Sequence, residues 1–291
     1  MEIRVLRYFV AVAREQNMTR AAEYLHITQP TLSVQLKQLE EEVGKKLFIR
    51  SNYSIKLTDE GLLLKKRAED ILSMVDKTLD EFYSMDNIYG GEIYIGAAES
   101  DSFQLFAKIA KNMQKKYPSI TFHLYSGNTE TIAERLDRGL LDFAIIVQNV
   151  DLSKYNYITV PTKDRWGVIM RKDSPLSSKE FLTVNDIIDL PLIVSRQGLT
   201  EDLPKLFKEK TDDLHIVATF DLIFNASLMV KEGLGYALSF DKIVNTDSES
   251  DLCFVPLYPI LESHMHIIWK KYQVFTPIAE VLLNEMEDFF K

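Results

Sequence analysis

Residues 18–50, MTRAAEYLHITQPTLSVQLKQLEEEVGKKLFIR, constrain the fold of this chain more than any other stretch. Thr19 is a good N-cap for a short helix over residues 20–25, and the adjacent Ala21 and Ala22 let a second helix approach closely. His26, Ile27 and Thr28 make a three-residue turn in which Ile27 plugs the small core. Thr28 or Gln29 then caps the next helix, and Pro30 suits its first turn, where no backbone N–H is required. On that helix Leu32, Leu36, Leu39 and Val43 share one stripe, Thr31, Val34 and Gln38 point the other way, and Gly44 ends it. The alternative is a helical hairpin for docking another protein. The short turn, the capping and the local basic excess favour a unit whose second helix enters a DNA groove, where Thr and Gln meet base edges or phosphates. A preceding amphipathic helix, residues 3–15, carries Ile3, Leu6, Phe9, Val10 and Ala13 on its inner face and ends at Gln16 and Asn17.

The net charge of −9 opposes a polyanionic partner until it is divided. Residues 1–67 carry 12 Lys and Arg against 8 Asp and Glu, a balance of +4, and the remainder carries 22 against 35, a balance of −13. A basic head on an acidic body orients a protein on DNA with the head inward. Neither a membrane-spanning run nor a signal-peptide pattern is visible, which predicts a cytoplasmic protein without membrane association. Cys253 is the single cysteine, so an internal disulfide and cysteine-based zinc modules are excluded. His264 and His266 share a strand face but lack a nearby third ligand, and no metal site is expected.

After Gly44 the alternation of Tyr53, Ile55 and Leu57 predicts a β-hairpin wing that places Arg50 and Lys56 near the DNA backbone or minor groove. Thr58 caps a long helix in which Leu64, Ala68, Ile71, Val75, Thr78 and Phe82 follow the four-three spacing of a coiled-coil seam, the basis for a dimer. Residues 86–91, DNIYGG, form a hinge. Beyond it the pattern alternates between strand and helix. Strands are predicted at 93–96, 120–125, 143–147, 166–170, 192–194, 216–220, 236–239, 254–257 and 265–269, with helices at 103–116, 131–138, 222–231 and 277–290. The fold class is α/β overall, with a parallel doubly wound reading for the sheet.

The residues LRYFVAVA at 6–13, TRAAEYLHITQPTLSVQLKQLEEEVGKKLF at 19–48 and Arg50 followed by LTDEG at 57–61 resemble the winged helix-turn-helix of LysR-type transcriptional regulators. The resemblance implies an all-α winged head (residues 1–58), a dimerising linker helix (59–86), a hinge (87–91) and an effector domain (92–291) similar to periplasmic binding proteins. Lobe I would comprise 92–161 and 266–291, and lobe II 162–265, the chain crossing near Pro161 and returning near His264. It also implies a dimer or tetramer that binds double-stranded promoter DNA, answers to a small-molecule effector and contacts RNA polymerase. DNA contacts would fall on Thr28, Gln29, Pro30, Thr31, Ser33, Gln35 and Arg50, and phosphate anchoring also on Lys37. One position departs from the family: Val34 stands where a basic residue is usual, and it suits contact with a thymine methyl rather than guanine or phosphate.

Ligands of open α/β sheets sit beyond the carboxyl ends of the strands, among helix N-termini. Those positions here are Ser100, Ser102, Gly127, Asn128, Thr129 and Gln148 in the first lobe, and Ser195, Arg196, Thr200 and Phe220 in the second. Hydroxyls and amides at helix starts suit an organic acid or inorganic anion, while Glu99, Asp101, Glu130, Glu201 and Asp202 nearby suit an amino acid or amine. The same residues also serve as ordinary helix caps. No glycine-rich phosphate loop, nucleophile elbow or histidine metal pair is present, so no catalytic residue, metal or cofactor is expected and the chain does not read as an enzyme.

Overall fold

The structure, a computed structural model, describes residues 1–50, 55–84, 90–147, 151–199, 206–207 and 214–291, with Arg50 and Ser84 described by backbone alone. It divides into two compact units, Met1–Asp80 and Glu81–Lys291.

The first unit carries helices α1 (Ile3–Glu15), α2 (Met18–Tyr24) and α3 (Gln29–Val43), the hairpin β1 (Phe48–Arg50) with β2 (Ile55–Leu57), and the long helix α4 (Asp59–Ser84) that continues past its boundary. Leu6, Phe9 and Val12 of α1 meet Ala21 and Ala22 of α2 and Leu32, Leu36 and Leu39 of α3 in one buried cluster. Phe9 packs on Phe48 of the hairpin with ring centroids 5.2 Å apart. The α1–α2 junction is tighter than capping preferences alone suggest. Gln16 ends α1 in the left-handed region, and Asn17, not Thr19, caps α2, its side chain accepting from the N–H groups of Thr19 (2.9 Å) and Arg20 (3.0 Å). Asn at this position satisfies two orphan donors at once, leaving Thr19 inside the helix.

The apolar stripe of α3 also ends early. Val43 is 42% exposed, and its expected inward place is taken by Glu40, which is 5% exposed. The Glu40 carboxylate accepts from the N–H groups of Leu47 (2.9 Å) and Phe48 (3.3 Å) and from the Lys46 ammonium (2.9 Å), tying the end of α3 to the start of the wing. On α4, Ala68 and Leu72 are buried in the core of the unit itself, and Leu64 and Ile71 of the expected coiled-coil seam pack against that core half-buried. Further along, Leu79, Phe82 and Tyr83 are exposed.

In the second unit the strands are β3 (Gly90–Ala97), β4 (Ser119–Ser126), β5 (Phe143–Ile146), β6 (Tyr155–Arg171), β7 (Leu192–Ser195), β8 (Ile216–Phe220), β9 (Tyr236–Phe240), β10 (Leu252–Pro256) and β11 (Glu262–Lys270). They order as β4-β3-β5-β11-β6-β9-β7-β8, with β10 paired to β6. The helices are α5 (Phe103–Lys116), α6 (Thr129–Asp137), α7 (Val184–Ile187), α8 (Ile223–Lys231) and α9 (Pro277–Phe290). Two parallel halves, β4-β3-β5 and β9-β7-β8, are joined through antiparallel β6 and β11, which corrects a wholly parallel reading of the sheet.

The connection between the lobes is longer than the 166–170 strand seen in the sequence. β6 begins at Tyr155, pairs with β11 as far as Arg165, then pairs with β9 and β10 from Trp166 onward. Its register against β11 shifts between His264 and His266, opposite Pro161, which has no N–H to give to a ladder. That proline is why the alternation in this region does not read as one continuous strand. His264 and His266 stand with rings 6.5 Å apart, and the described residues hold no group of three or more His, Cys, Asp or Glu side chains fit for a metal.

Candidate nucleic-acid interface and ligand cleft

The start of α3 is built for presentation. Thr28 has extended backbone, its Oγ1 accepts from the Thr31 N–H (3.3 Å) and lies 2.8 Å from Thr31 Oγ1, and Pro30 occupies the first turn without wasting a donor. Thr28, Gln29, Pro30, Thr31 and Lys37 are exposed, Ser33 and Gln35 are half-buried, and Val34 is 54% exposed on the same side. Gln35 Nε2 donates to Gln38 Oε1 at 3.2 Å, and Lys37 pairs with Glu41 one turn on at 3.5 Å. Such an exposed pair holds a side chain weakly, leaving the lysine available to a phosphate. The first turn, with the positive end of the helix dipole, lies at the same end of α3 as Thr28, Gln29, Pro30 and Thr31. The side chain of Arg50 lies outside the described residues; its backbone closes the hairpin against Ile55.

The wing and α4 are held by Thr58 and Gly61. The Thr58 Oγ1 donates to the Lys46 carbonyl (2.7 Å) and accepts from the Gly61 N–H (3.0 Å). A Cβ on Gly61 would stand 2.2 Å from the Leu47 carbonyl oxygen, so the glycine of LTDEG is needed for close approach of α4 to the wing.

In the second unit, Asn128, Thr129, Ser195 and Phe220 line one cavity where the parallel strands of both lobes end, together with Glu99 and Asp221. Three hydrogen bonds cross it. Glu99 Oε2 accepts from the Ile223 N–H at the start of α8 (2.7 Å), Gln197 Oε1 accepts from the Thr129 N–H at the start of α6 (3.1 Å), and Asn128 Nδ2 donates to Asp221 Oδ1 (3.3 Å). Asn128 is at once a helix cap, its Oδ1 accepting from the Thr131 N–H at 2.9 Å, and a bridge to the other lobe. Thr129 is 1% exposed, and its hydroxyl has no hydrogen-bond partner.

The other sequence-derived candidates are placed differently. Ser100 Oγ donates to Asp164 Oδ2 (2.7 Å) and Ser102 Oγ to Asp164 Oδ1 (3.2 Å), while Thr162 Oγ1 donates to Ser102 Oγ (2.9 Å). Their hydroxyls therefore serve the crossover strand rather than the cavity. Burial pushes the Asp164 carboxyl above its ordinary range, and the serine hydroxyls pull it partly back. Arg196 is exposed on a neighbouring groove that shares Asn128, Thr129, Gln197 and Asp221 with the cavity. Gln148 and Thr200, like Glu201 and Asp202, lie outside the described residues. Gln197, Asp221 and Trp166 line the cavity without having been singled out in the sequence. Strand ends locate the cleft, but which neighbouring side chain turns inward depends on packing.

A helix-turn-helix head with an exposed polar helix face and a two-lobed α/β unit enclosing a cavity together define a DNA-binding transcriptional regulator with an effector-binding domain. Residues 3–62 match the bacterial regulatory helix-turn-helix protein, lysR family, and residues 88–291 match the LysR substrate binding domain. The chain belongs to the LysR family. It is 30% identical over 266 residues to the hydrogen peroxide-inducible genes activator of Pectobacterium carotovorum subsp. carotovorum, covering 89% of this chain and 86% of that one. To the HTH-type transcriptional regulator BudR of Raoultella terrigena it is 28% identical over 285 residues, covering 94% and 96%. The crystal structure of full-length CbnR complexed with its target DNA superposes with a TM-score of 0.74 at 19% identity, over 99% of this chain and 100% of that one, a likeness of fold.

Proposed function

We propose that the head reads promoter DNA with Thr28, Gln29, Pro30, Thr31, Ser33 and Gln35, anchored on phosphates by Lys37 and Arg50, and that a small molecule in the cavity of the second unit sets how strongly it binds. The observation that supports this most is the exposed first turn of α3, where a capped helix start, two threonines, Gln29 and Val34 face outward together. Functional domain limits follow the sequence reading: head 1–58, linker 59–86, hinge 87–91 and effector domain 92–291 in two lobes, 92–161 with 266–291 and 162–265, except that Gly90 and Gly91 of the hinge already belong to β3 and residues 87–89 lie outside the described residues. Regulators of this family work as oligomers; here the partner is a second copy, as dimer or tetramer, and the output is altered contact with RNA polymerase in the cytoplasm. The protein binds its effector without turning it over and needs no cofactor. Thiol–disulfide switching within the chain is closed to it, because Cys253 has no second cysteine to pair with.

Selection of bound sequences from a random duplex pool by the full chain tests the DNA reading. A preferred, roughly palindromic motif is expected, and Thr31→Ala should weaken binding to it. Val34→Arg should shift preference from thymine toward guanine at one position in each half-site. Enrichment of no motif, or an unchanged motif with Val34→Arg, would overturn the assignment of the α3 face.

A further inference from the structure

We infer that the cavity takes a ligand carrying a protonated amine on a small apolar body. This rests on the cavity being the effector site. Among its described lining residues Glu99 and Asp221 are the charged ones, and no Lys, Arg or His lines it. The positions an anion would use are already filled. The Ile223 N–H, at the positive end of α8, is held by the Glu99 carboxylate, and the Thr129 N–H, at the start of α6, by the Gln197 amide oxygen. A carboxylate or inorganic anion would have to evict a tethered carboxylate and then lie beside it. An ammonium meets the opposite balance: Glu99 and Asp221 each keep unused lone pairs after accepting one hydrogen bond from the protein, and their charge favours it.

A second observation places the polar head of the ligand. The Thr129 hydroxyl lines the cavity, is almost wholly buried and has no partner. A buried hydroxyl without a hydrogen bond is costly, so it marks a place where a ligand atom belongs. A hydroxyl both donates and accepts, so Thr129 marks where a polar ligand atom sits, at the same end of the cavity as Asn128 and Asp221, and an ammonium placed there donates to it. The rest of the wall is apolar and aromatic, including Trp166, Phe220 and Phe240, faces that suit an alkyl chain or a cation. The cavity measures about 60 Å³, space for about two waters. It therefore admits a small head group as it stands, and a longer body must extend toward the groove that shares Asn128 and Asp221. Of the classes the sequence leaves open, this excludes the organic acid and the inorganic anion suggested by the hydroxyl and amide residues and keeps the amine, or an amino acid bound through its ammonium, suggested by the nearby carboxylates.

Titration calorimetry and thermal shift of the full chain with propylammonium and with propionate, at matched ionic strength, test this. Propylammonium should bind saturably and propionate should not. Glu99→Gln should weaken propylammonium by about tenfold or more, the worth of one charge-assisted hydrogen bond, and admit propionate. Thr129→Val, close in shape, and Asp221→Asn should each weaken the amine severalfold and give the second measurement if Glu99→Gln unfolds. Propionate binding to the wild type as tightly as propylammonium, with loss in Thr129→Val, would overturn the ligand class while leaving the cavity as the effector site. Amine binding that none of the three variants changes would overturn the site as well. No response to propylammonium at the highest concentration the protein tolerates would overturn the inference.

Discussion

Replacing Glu40 tests how the reading head is tied to its wing. Glu40→Ala removes the acceptor of the Leu47 and Phe48 N–H groups, whose residues are 1% and 6% exposed, so water cannot readily replace it. A buried donor left without a partner costs roughly 1–3 kcal/mol. One of the two bonds is long at 3.3 Å, and Lys46, with its side chain 76% exposed, adds little. The expected loss is therefore about 3 kcal/mol in the head, and about 1 kcal/mol for Glu40→Gln, which keeps an oxygen in place. Burial by itself would raise the Glu40 carboxyl, but the hydrogen bond from Lys46 and those from the two backbone donors outweigh it and hold it below its ordinary 4.5. A depressed carboxylate stabilises the fold above its unfolded value and loses that contribution as pH falls through the folded one. Wild-type head stability should thus drop in acid below about pH 4.5, with a shallower acid limb in Glu40→Gln. Amide exchange at residues 47 and 48 during urea titration reads the head. Fluorescence of Trp166 and Trp269 reads the other unit and should not move. A Glu40→Ala head within about 0.5 kcal/mol of wild type, with residues 47 and 48 still protected, would refute the reasoning.

Gly61→Ala should destabilise the head by about 2–3 kcal/mol through collision with the Leu47 carbonyl, whereas Gly44→Ala, at φ +70° with open space around it, should lose only the roughly 1 kcal/mol of backbone strain; urea midpoints rank them. Tyr155 should keep its proton to about pH 12, because burial and then donation to Asp137 raise it; alkaline absorbance titration reads this directly, and Asp137→Asn should bring it down. That contribution is complete below pH 10 and is lost as pH rises toward 12. Asp164→Ala should leave Ser100 and Ser102 without their shared acceptor and cost about 2 kcal/mol, seen as a lower thermal midpoint of the second unit.

The head was legible because its signals are local. Thr28, Pro30 and Gly44 act through backbone geometry within one turn of themselves, and a helix records its inner face every three or four residues. Glu40 was not legible, since a glutamate at an inward position reads as solvent-facing until the N–H groups of Leu47 and Phe48 are brought against it. The same limit applies to α4. Heptad spacing shows that Leu64, Ala68 and Ile71 share a face but not that this face also packs on the core of its own unit. In the second unit the carboxyl ends of the strands located the cavity. They did not show that Ser100 and Ser102 turn to Asp164, because Asp164 lies in the part of β6 that Pro161 hides from pattern reading.

What the cavity does to the protein follows from the bonds that cross it. A neutral hydrogen bond contributes roughly 0.5–1.5 kcal/mol net and one to a charged group roughly 1.5–3 kcal/mol. The Gln197–Thr129 link is neutral, and the Glu99–Ile223 and Asn128–Asp221 links each involve a carboxylate, the last at a long 3.3 Å. Together they oppose any parting of the lobes by roughly a few kcal/mol. A ligand changes that balance only through a difference in its affinity for the bridged and unbridged arrangements. An ammonium that satisfies Thr129 Oγ1 while leaving Glu99 on Ile223 strengthens the bridge. An anion that takes the Ile223 N–H must break it. The two classes of ligand would therefore push the lobes in opposite directions, and Glu99→Gln, which weakens the bridge without a ligand, should mimic the second and oppose the first.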